Sequence, residues 1–185
     1  MNHDCRPNAV FNNDPQTLIQ TTYASSSISA GEEITVGYIN IVSPNKVRQF
    51  NLHAFYGFTC TCSLCSLSPS AISQSDANIA EIDDLQTQLS DWSVGTKATP
   101  QKAERLSNLY VSEKLDLAIG TGYMFAALAW NAVGREKMTR KFAEKALKAT
   151  KEVPGSGVDL EELKELLKSP RSHWSWGVRR GVREL

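Results

Sequence analysis

The sequence predicts an α+β chain: a β-rich first third that carries the chemistry, then a helical remainder. Three observations lead there. All four cysteines lie within the first 65 of 185 residues. In the same region, short β-prone runs (Ala9-Val10-Phe11, Leu18-Ile19 and Ile34-Thr35-Val36) alternate with Asn- and Pro-containing turn signals. From Ile79 onward, apolar residues recur at intervals of three and four, the period of a helix with one buried face.

Taken in order, residues 1–66 read as short strands joined by loops, closing with a brief helix around Lys46 to Phe55 whose Val47, Phe50 and Ala54 share a face. Ser and other small polar residues from Ser66 to Asn78 carry no buried-face pattern, which makes residues 67–78 a linker. Residues 79–185 then form an α-helical domain. Ile79, Ile82, Leu85 and Leu89 mark its first helix, and Thr99-Pro100 starts a second, with Ala103, Leu106 and Tyr110 inward. Segments of about 121–133 and 135–151 flank Gly134 as an antiparallel hairpin with Phe125, Leu128, Ala129, Met138, Phe142 and Ala146 at helical intervals. Asp159 and Glu162 form a capping pair ahead of Leu160, Leu163, Leu166 and Leu167, and Pro170 ends that helix. In the tail, Trp174 and Trp176 are expected to dock on the helical domain.

Charge is balanced at 20 Lys plus Arg against 20 Asp plus Glu, so no overall field draws the chain to nucleic acid or to an anionic membrane. No apolar run reaches the roughly 18 residues of a membrane helix. The start, Met1 to Asn8, has neither the basic nor the apolar region of a signal peptide. The expectation is a soluble, intracellular protein of nucleus or cytoplasm, with no membrane and no direct nucleic-acid partner.

Cys60, Cys62 and Cys65 place three thiols on one tight loop, while tetrahedral zinc takes four ligands at about 2.3 Å. Cys5 is the remaining cysteine. One structural zinc on Cys5, Cys60, Cys62 and Cys65 would staple the chain start to residues 60–65. The alternative is a set of buried or disulfide-bonded cysteines, for which four residues allow three pairings. Three thiols within six residues suit that geometry poorly. His3, two residues from Cys5, is also open to a loop or ligand role.

Three motifs then stand in order. Asn2-His3-Asp4-Cys5-Arg6-Pro7-Asn8 resembles the Asn-His-x-Cys-x-Pro-Asn signature of SET-domain protein methyltransferases, and Gly31-Glu32-Glu33-Ile34-Thr35-Val36-Gly37-Tyr38 resembles their second signature. Tyr56 to Cys65 looks like the post-SET zinc segment, in a form most similar to SET-and-MYND-type and fungal SET proteins. The resemblance implies the C-terminal half of a SET domain with a knot-like core. It further implies S-adenosylmethionine as cofactor and a lysine of a histone or another protein as substrate. By position, Asn2, His3 and Phe58 would contact the cofactor. Tyr56 would line the substrate-lysine channel, and Tyr38 would be the catalytic tyrosine in that channel. Cys5 would be the distant zinc ligand, in agreement with the cysteine count.

Departures accompany the match. A full SET domain has a glycine-containing cofactor loop and further strands ahead of the Asn-His motif, and this chain opens at that motif. The expectation is therefore a fragment or a degenerate member. Ser26-Ser27-Ile28 stands where many relatives have Arg-Asp-Ile, and Val36 where some carry an aromatic. Gly122 to Lys151 resembles one tetratricopeptide-type (TPR-like) hairpin, which would offer a peptide partner a groove. The rival to the methyltransferase is a non-catalytic, zinc-stabilised interaction module derived from a SET protein.

Overall fold

Residues 1–152 and 158–181 are described by the computed structural model, so residues 153–157 and 182–185 of the expected helical domain lie outside it. The chain divides into two compact units, Met1–Glu81 with Glu113–Asp116, and Ile82–Ser112 with Leu117–Leu185.

In the first unit, β1 (Asn2–His3) pairs in parallel with β4 (Thr35–Val36), setting Asn2 beside Thr35 and His3 beside Val36. A separate hairpin joins β2 (Ala9–Asn13) and β3 (Gln20–Ala24), with Ala9 beside Ala24 and Asn13 beside Gln20. Leu18-Ile19, expected as strand, belongs instead to the hairpin's connection. The Asp14 carboxylate accepts from the Gln16 amide at 2.8 Å and the Thr17 hydroxyl at 2.6 Å. The turn it organises carries Leu18 at a left-handed φ of 57°.

Helix α1 (Asn45–Tyr56) forms where expected, but with another face inward. Arg48 and Leu52 are buried, while Val47 and Phe50 are 45% and 69% exposed. At its end Gly57 takes a left-handed φ of 75° and its amide returns to the His53 carbonyl at 3.1 Å, which turns the chain toward Phe58 and Cys60.

The serine-rich stretch is helix rather than linker loop: α2 runs from Pro69 to Ser90. Ser68 accepts the Ala71 amide at 3.3 Å, Pro69 occupies the first turn, and the buried Ser75 hydroxyl donates to Glu113 at 2.7 Å. Polar residues therefore pack here because their partners are polar. The division between the units falls within this helix, after Glu81.

The second unit is helical. Ile82, Leu85 and Leu89 of α2 are buried, as are Ala103, Leu106 and Tyr110 of α3 (Pro100–Ser112), whose start is capped by Thr99 Oγ1 accepting the Lys102 amide at 3.3 Å. α4 (Asp116–Ala132) begins earlier than expected and buries a run of small residues, with Phe125 and Leu128 half-buried. Gly134, at φ 75°, turns the chain into α5 (Glu136–Glu152). α6 (Leu160–Lys168) is capped by Asp159, which accepts from the Glu161 and Glu162 amides, and it buries Leu163 and Leu166. Glu162 itself turns to the Trp174 indole at 3.0 Å. A 3-10 turn, Pro170–Ser172, leads into the tail, where Trp174 meets Trp92 edge-on at 4.6 Å. Among the described residues no helix is long and apolar enough to cross a membrane.

Candidate metal centre and its aromatic neighbours

The core of the first unit is built around sulfur. Cys5, Leu52 and Cys60 are buried together, with Tyr38, Ile39, Phe58, Cys62, Leu64 and Cys65 packed against them. All four cysteines are free, and their sulfurs lie within 4.8 Å of one another, with Cys5 and Cys65 at 3.6 Å. Four thiolates around one zinc at about 2.3 Å stand roughly 3.8 Å apart. The cluster therefore fits a tetrahedral ion of that size.

The chemistry of the donors agrees. Hydrogen bonds from Cys5 and Cys65 pull the Cys62 thiol far below its ordinary range, while the same sharing pushes Cys5 upward. Burial pushes Cys60 up to about 12. Sulfurs this close cannot all ionise together unaided. A divalent cation is the group that would let all four do so.

Residues without a place in the sequence reading hold the cluster. Gln49 on α1 clamps Cys60 on both sides, its Oε1 accepting the Cys60 amide at 2.9 Å and its Nε2 donating to the Cys60 carbonyl at 2.8 Å. Asn45 Nδ2 points at Cys65 Sγ at 3.6 Å, and the Asn45 amide is capped by Asp76 at 2.7 Å. Arg6 Nη1 donates to the Cys5 carbonyl at 2.7 Å. The same guanidinium pairs with Glu113 at 2.8 Å, with both side chains 7% exposed.

His3 connects the sulfurs to the aromatic residues. Its Nδ1 accepts the Tyr38 amide at 3.1 Å, so its proton sits on Nε2, which faces Cys5 Sγ at 3.3 Å. Burial holds the imidazole below its ordinary value, with the Arg48 charge acting in the same direction and Cys62 opposing. With the proton on Nε2, the ring donates N–H to sulfur.

Around it, ring centroids of Tyr38 and Phe58 stand 5.4 and 6.3 Å from His3, and Tyr56 stands 5.0 Å from Tyr38. The Tyr38 hydroxyl donates to the Met1 carbonyl at 2.6 Å, and the Tyr56 hydroxyl to the Tyr38 carbonyl at 3.0 Å. Asn2 is exposed and donates to Glu33 at 2.6 Å. Asn8 binds the second signature from below, donating to Glu32 at 3.0 Å and accepting the Thr35 amide at 2.9 Å. Thus Glu32 and Glu33 tie one signature to the other.

Compared with models of known families, residues 1–39 match the SET domain. This segment is thus similar to the SET-domain family. The chain is 37% identical over 86 residues to the histone-lysine N-methyltransferase set5 of Schizosaccharomyces pombe, a match covering 46% of this chain and 25% of that protein. It is 36% identical over 76 residues to the histone-lysine N-methyltransferase SMYD1 of Homo sapiens, covering 35% of this chain and 16% of the relative. Histone-lysine N-methyltransferase ATXR2 of Arabidopsis thaliana matches at 43% over 77 residues, covering 39% and 15% respectively. The chain thus spans a quarter or less of the length of these relatives.

Proposed function

We propose that this chain supplies the C-terminal part of a SET-type protein-lysine N-methyltransferase site, which transfers a methyl group from S-adenosylmethionine to a lysine of a histone or another protein. The observation that carries the reading is the junction at His3, one imidazole joined to the Cys5 sulfur on one side and the Tyr38 amide on the other. Through it a zinc on Cys5, Cys60, Cys62 and Cys65 would fix the positions of Tyr38, Tyr56 and Phe58 without taking part in the reaction.

Bound S-adenosylmethionine supplies the electrophilic methyl. Asn2, His3 and Phe58 would form one side of its pocket, His3 through its ring face and backbone because both ring nitrogens are engaged. In-line methyl transfer asks the protein for alignment and a dry, dipole-lined channel. The lysine must arrive neutral, and an apolar aromatic wall lowers its reference pKa of about 10.4 by disfavouring charge. The Tyr38 proton is committed to the Met1 carbonyl, which leaves the phenol oxygen as an acceptor for an amine N–H. Accepting that N–H would orient the amine so that its lone pair is free for the methyl group. The Tyr56 ring walls the same channel.

The test grafts residues 1–66 into the set5 relative from Schizosaccharomyces pombe, in place of the matched segment, and follows labelled methyl transfer to histones. The graft is expected to transfer, and Tyr38→Phe to lower kcat roughly a hundredfold through lost alignment. Unchanged turnover in Tyr38→Phe removes the tyrosine from its role. A graft that retains zinc and binds histones but transfers no methyl favours the non-catalytic interaction module.

A further inference from the structure

The second unit carries a charged cleft of about 330 Å³ that the methyl-transfer reading does not use, lined by Thr99, Pro100, Trp130, Arg135, Arg179 and Arg180 among others. Two of its arginines are held in place. A Cβ on Gly134 would lie 2.6 Å from Arg180 Nη2, and one on Gly177 2.9 Å from its Nε, so the guanidinium rests in space that two glycines leave open. Trp176 lies 5.2 Å from the same group. Arg179 is 5% exposed and stacks on Trp92 at 3.6 Å, with Nη2 donating to the Leu89 carbonyl at 3.3 Å and the Asp91 carbonyl at 2.5 Å. Its buried Nε has no hydrogen-bond partner among the described residues. Arg135 is exposed at the rim.

Holding a guanidinium in a cleft costs free energy that an anion would offset. Nearby, the Glu104 carboxylate accepts the Trp130 indole N–H at 2.8 Å, and the Asp91 carboxylate accepts the Ser93 amide at 2.9 Å. Among the described residues three guanidiniums therefore outnumber the acids around the cleft, and the positive end of α3, capped at Thr99, adds to their sign. Trp130 and Val133 supply an apolar wall.

We propose that this cleft receives one anionic side chain, carboxylate or phosphate, of a partner protein segment, with an apolar neighbour of that residue against Trp130 and Val133. Its volume is at the small end of ligand clefts. The balanced charge of the whole chain suits a short peptide contact rather than a nucleic-acid backbone.

The test is fluorescence anisotropy on the full chain with short labelled Gly-Ser peptides carrying a central Glu-Leu, phosphoserine-Leu or Gln-Leu pair. Saturable, salt-sensitive binding of a charged peptide is expected, and whichever charged peptide binds tighter names the source of the anion. Arg135→Ala and Arg180→Ala should each weaken it roughly tenfold, the loss of one charge-assisted hydrogen bond. A titration of the unaltered chain followed by NMR should shift the Trp130 indole N–H, a readout independent of any variant's folding. Equal binding of the Gln-Leu peptide, wild-type affinity in both variants, an unmoved Trp130 signal, or tighter binding of single-stranded RNA overturns the proposal.

Discussion

Glu113 anchors the buried polar network of the first unit, and replacing it tests how Cys5 is held in place. Its carboxylate accepts from Arg6 Nη2 at 2.8 Å, Ser75 Oγ at 2.7 Å and Asn78 Nδ2 at 2.7 Å. Arg6 also donates through Nε to the Glu113 carbonyl. Glu113→Ala removes the common acceptor and strands a buried guanidinium, a loss of about 3 kcal/mol or more in urea unfolding of the full chain. Arg6→Met combined with Glu113→Leu should recover much of it, because neither charge is then left alone. Arg6 holds the Cys5 carbonyl, so zinc affinity in chelator competition should also fall about tenfold in Glu113→Ala. Acidity supplies a third readout. Burial pushes the Glu113 carboxyl up, but the hydrogen bonds from Asn78, Ser75 and Arg6 outweigh it and hold the group below its ordinary 4.5. The network's contribution is therefore complete above 4.5 and is lost as the pH falls through the folded-state value below it. A loss under about 1 kcal/mol with unchanged chelator competition, or a gap from wild type that stays constant into acid, refutes the reasoning.

Three further outcomes are expected. Cys62→Ser should reduce bound zinc from one equivalent to a trace by elemental analysis and raise hydrogen exchange in residues 1–5 and 60–65 together; retention of a full equivalent would remove Cys62 from the ligand set. Gly122→Ala should destabilise by about 1–3 kcal/mol in thermal melts, since packing has no room there. The new Cβ would stand 2.8 Å from the Tyr110 ring and 3.2 Å from the Ser107 backbone, and a neutral effect would mean that α3 and α4 yield easily. His173 is buried with Nδ1 against Ser175 Oγ at 2.8 Å, and burial lowers its pKa from 6.5 against the opposing pull of Glu162 and Glu165. The unfolded chain then binds the extra proton, so stability is complete above 6.5 and declines below it. His173→Gln should flatten that decline, and equal slopes of melting temperature against pH would count against the assignment.

Much of the helical unit was legible because its helices bury apolar stripes of ordinary period. Ile82, Leu85, Leu89, Ala103, Leu106 and Tyr110 face inward as their spacing predicts. The Thr99 and Asp159 caps lie at the starts they mark. What the sequence hides are partners far apart in the chain. Arg6 and Glu113 lie 107 positions apart, and Arg179 reaches carbonyls 88 and 90 positions before it. Ser75 looks like linker material until its carboxylate partner, 38 residues on, is known.

The sulfur site shows a subtler reason why one face was misread. Cys60, Cys62 and Cys65 are legible from spacing, and Cys5 as the one cysteine left for the fourth position of a tetrahedral site. The helix that holds them is not legible in the same way. On α1 the apolar pattern points to Val47, Phe50 and Ala54, whereas the inward positions are Arg48 and Leu52, with Asn45 and Gln49 turned to the cysteines. Positions 45, 48, 49 and 52 fall at three- and four-residue steps, so they form one true helical face, though a mostly polar one. Hydrophobic periodicity finds the face that meets hydrocarbon. A helix laid against a thiol-bearing loop meets sulfur and unpaired peptide groups instead, and there an amide that clamps a cysteine backbone satisfies groups that a leucine would leave buried and unbonded. Beside this thiol-bearing loop the polar stripe is therefore the one to read as core, and Gln49→Leu, apolar but unable to bond, should loosen Cys60 where ordinary core logic expects a gain.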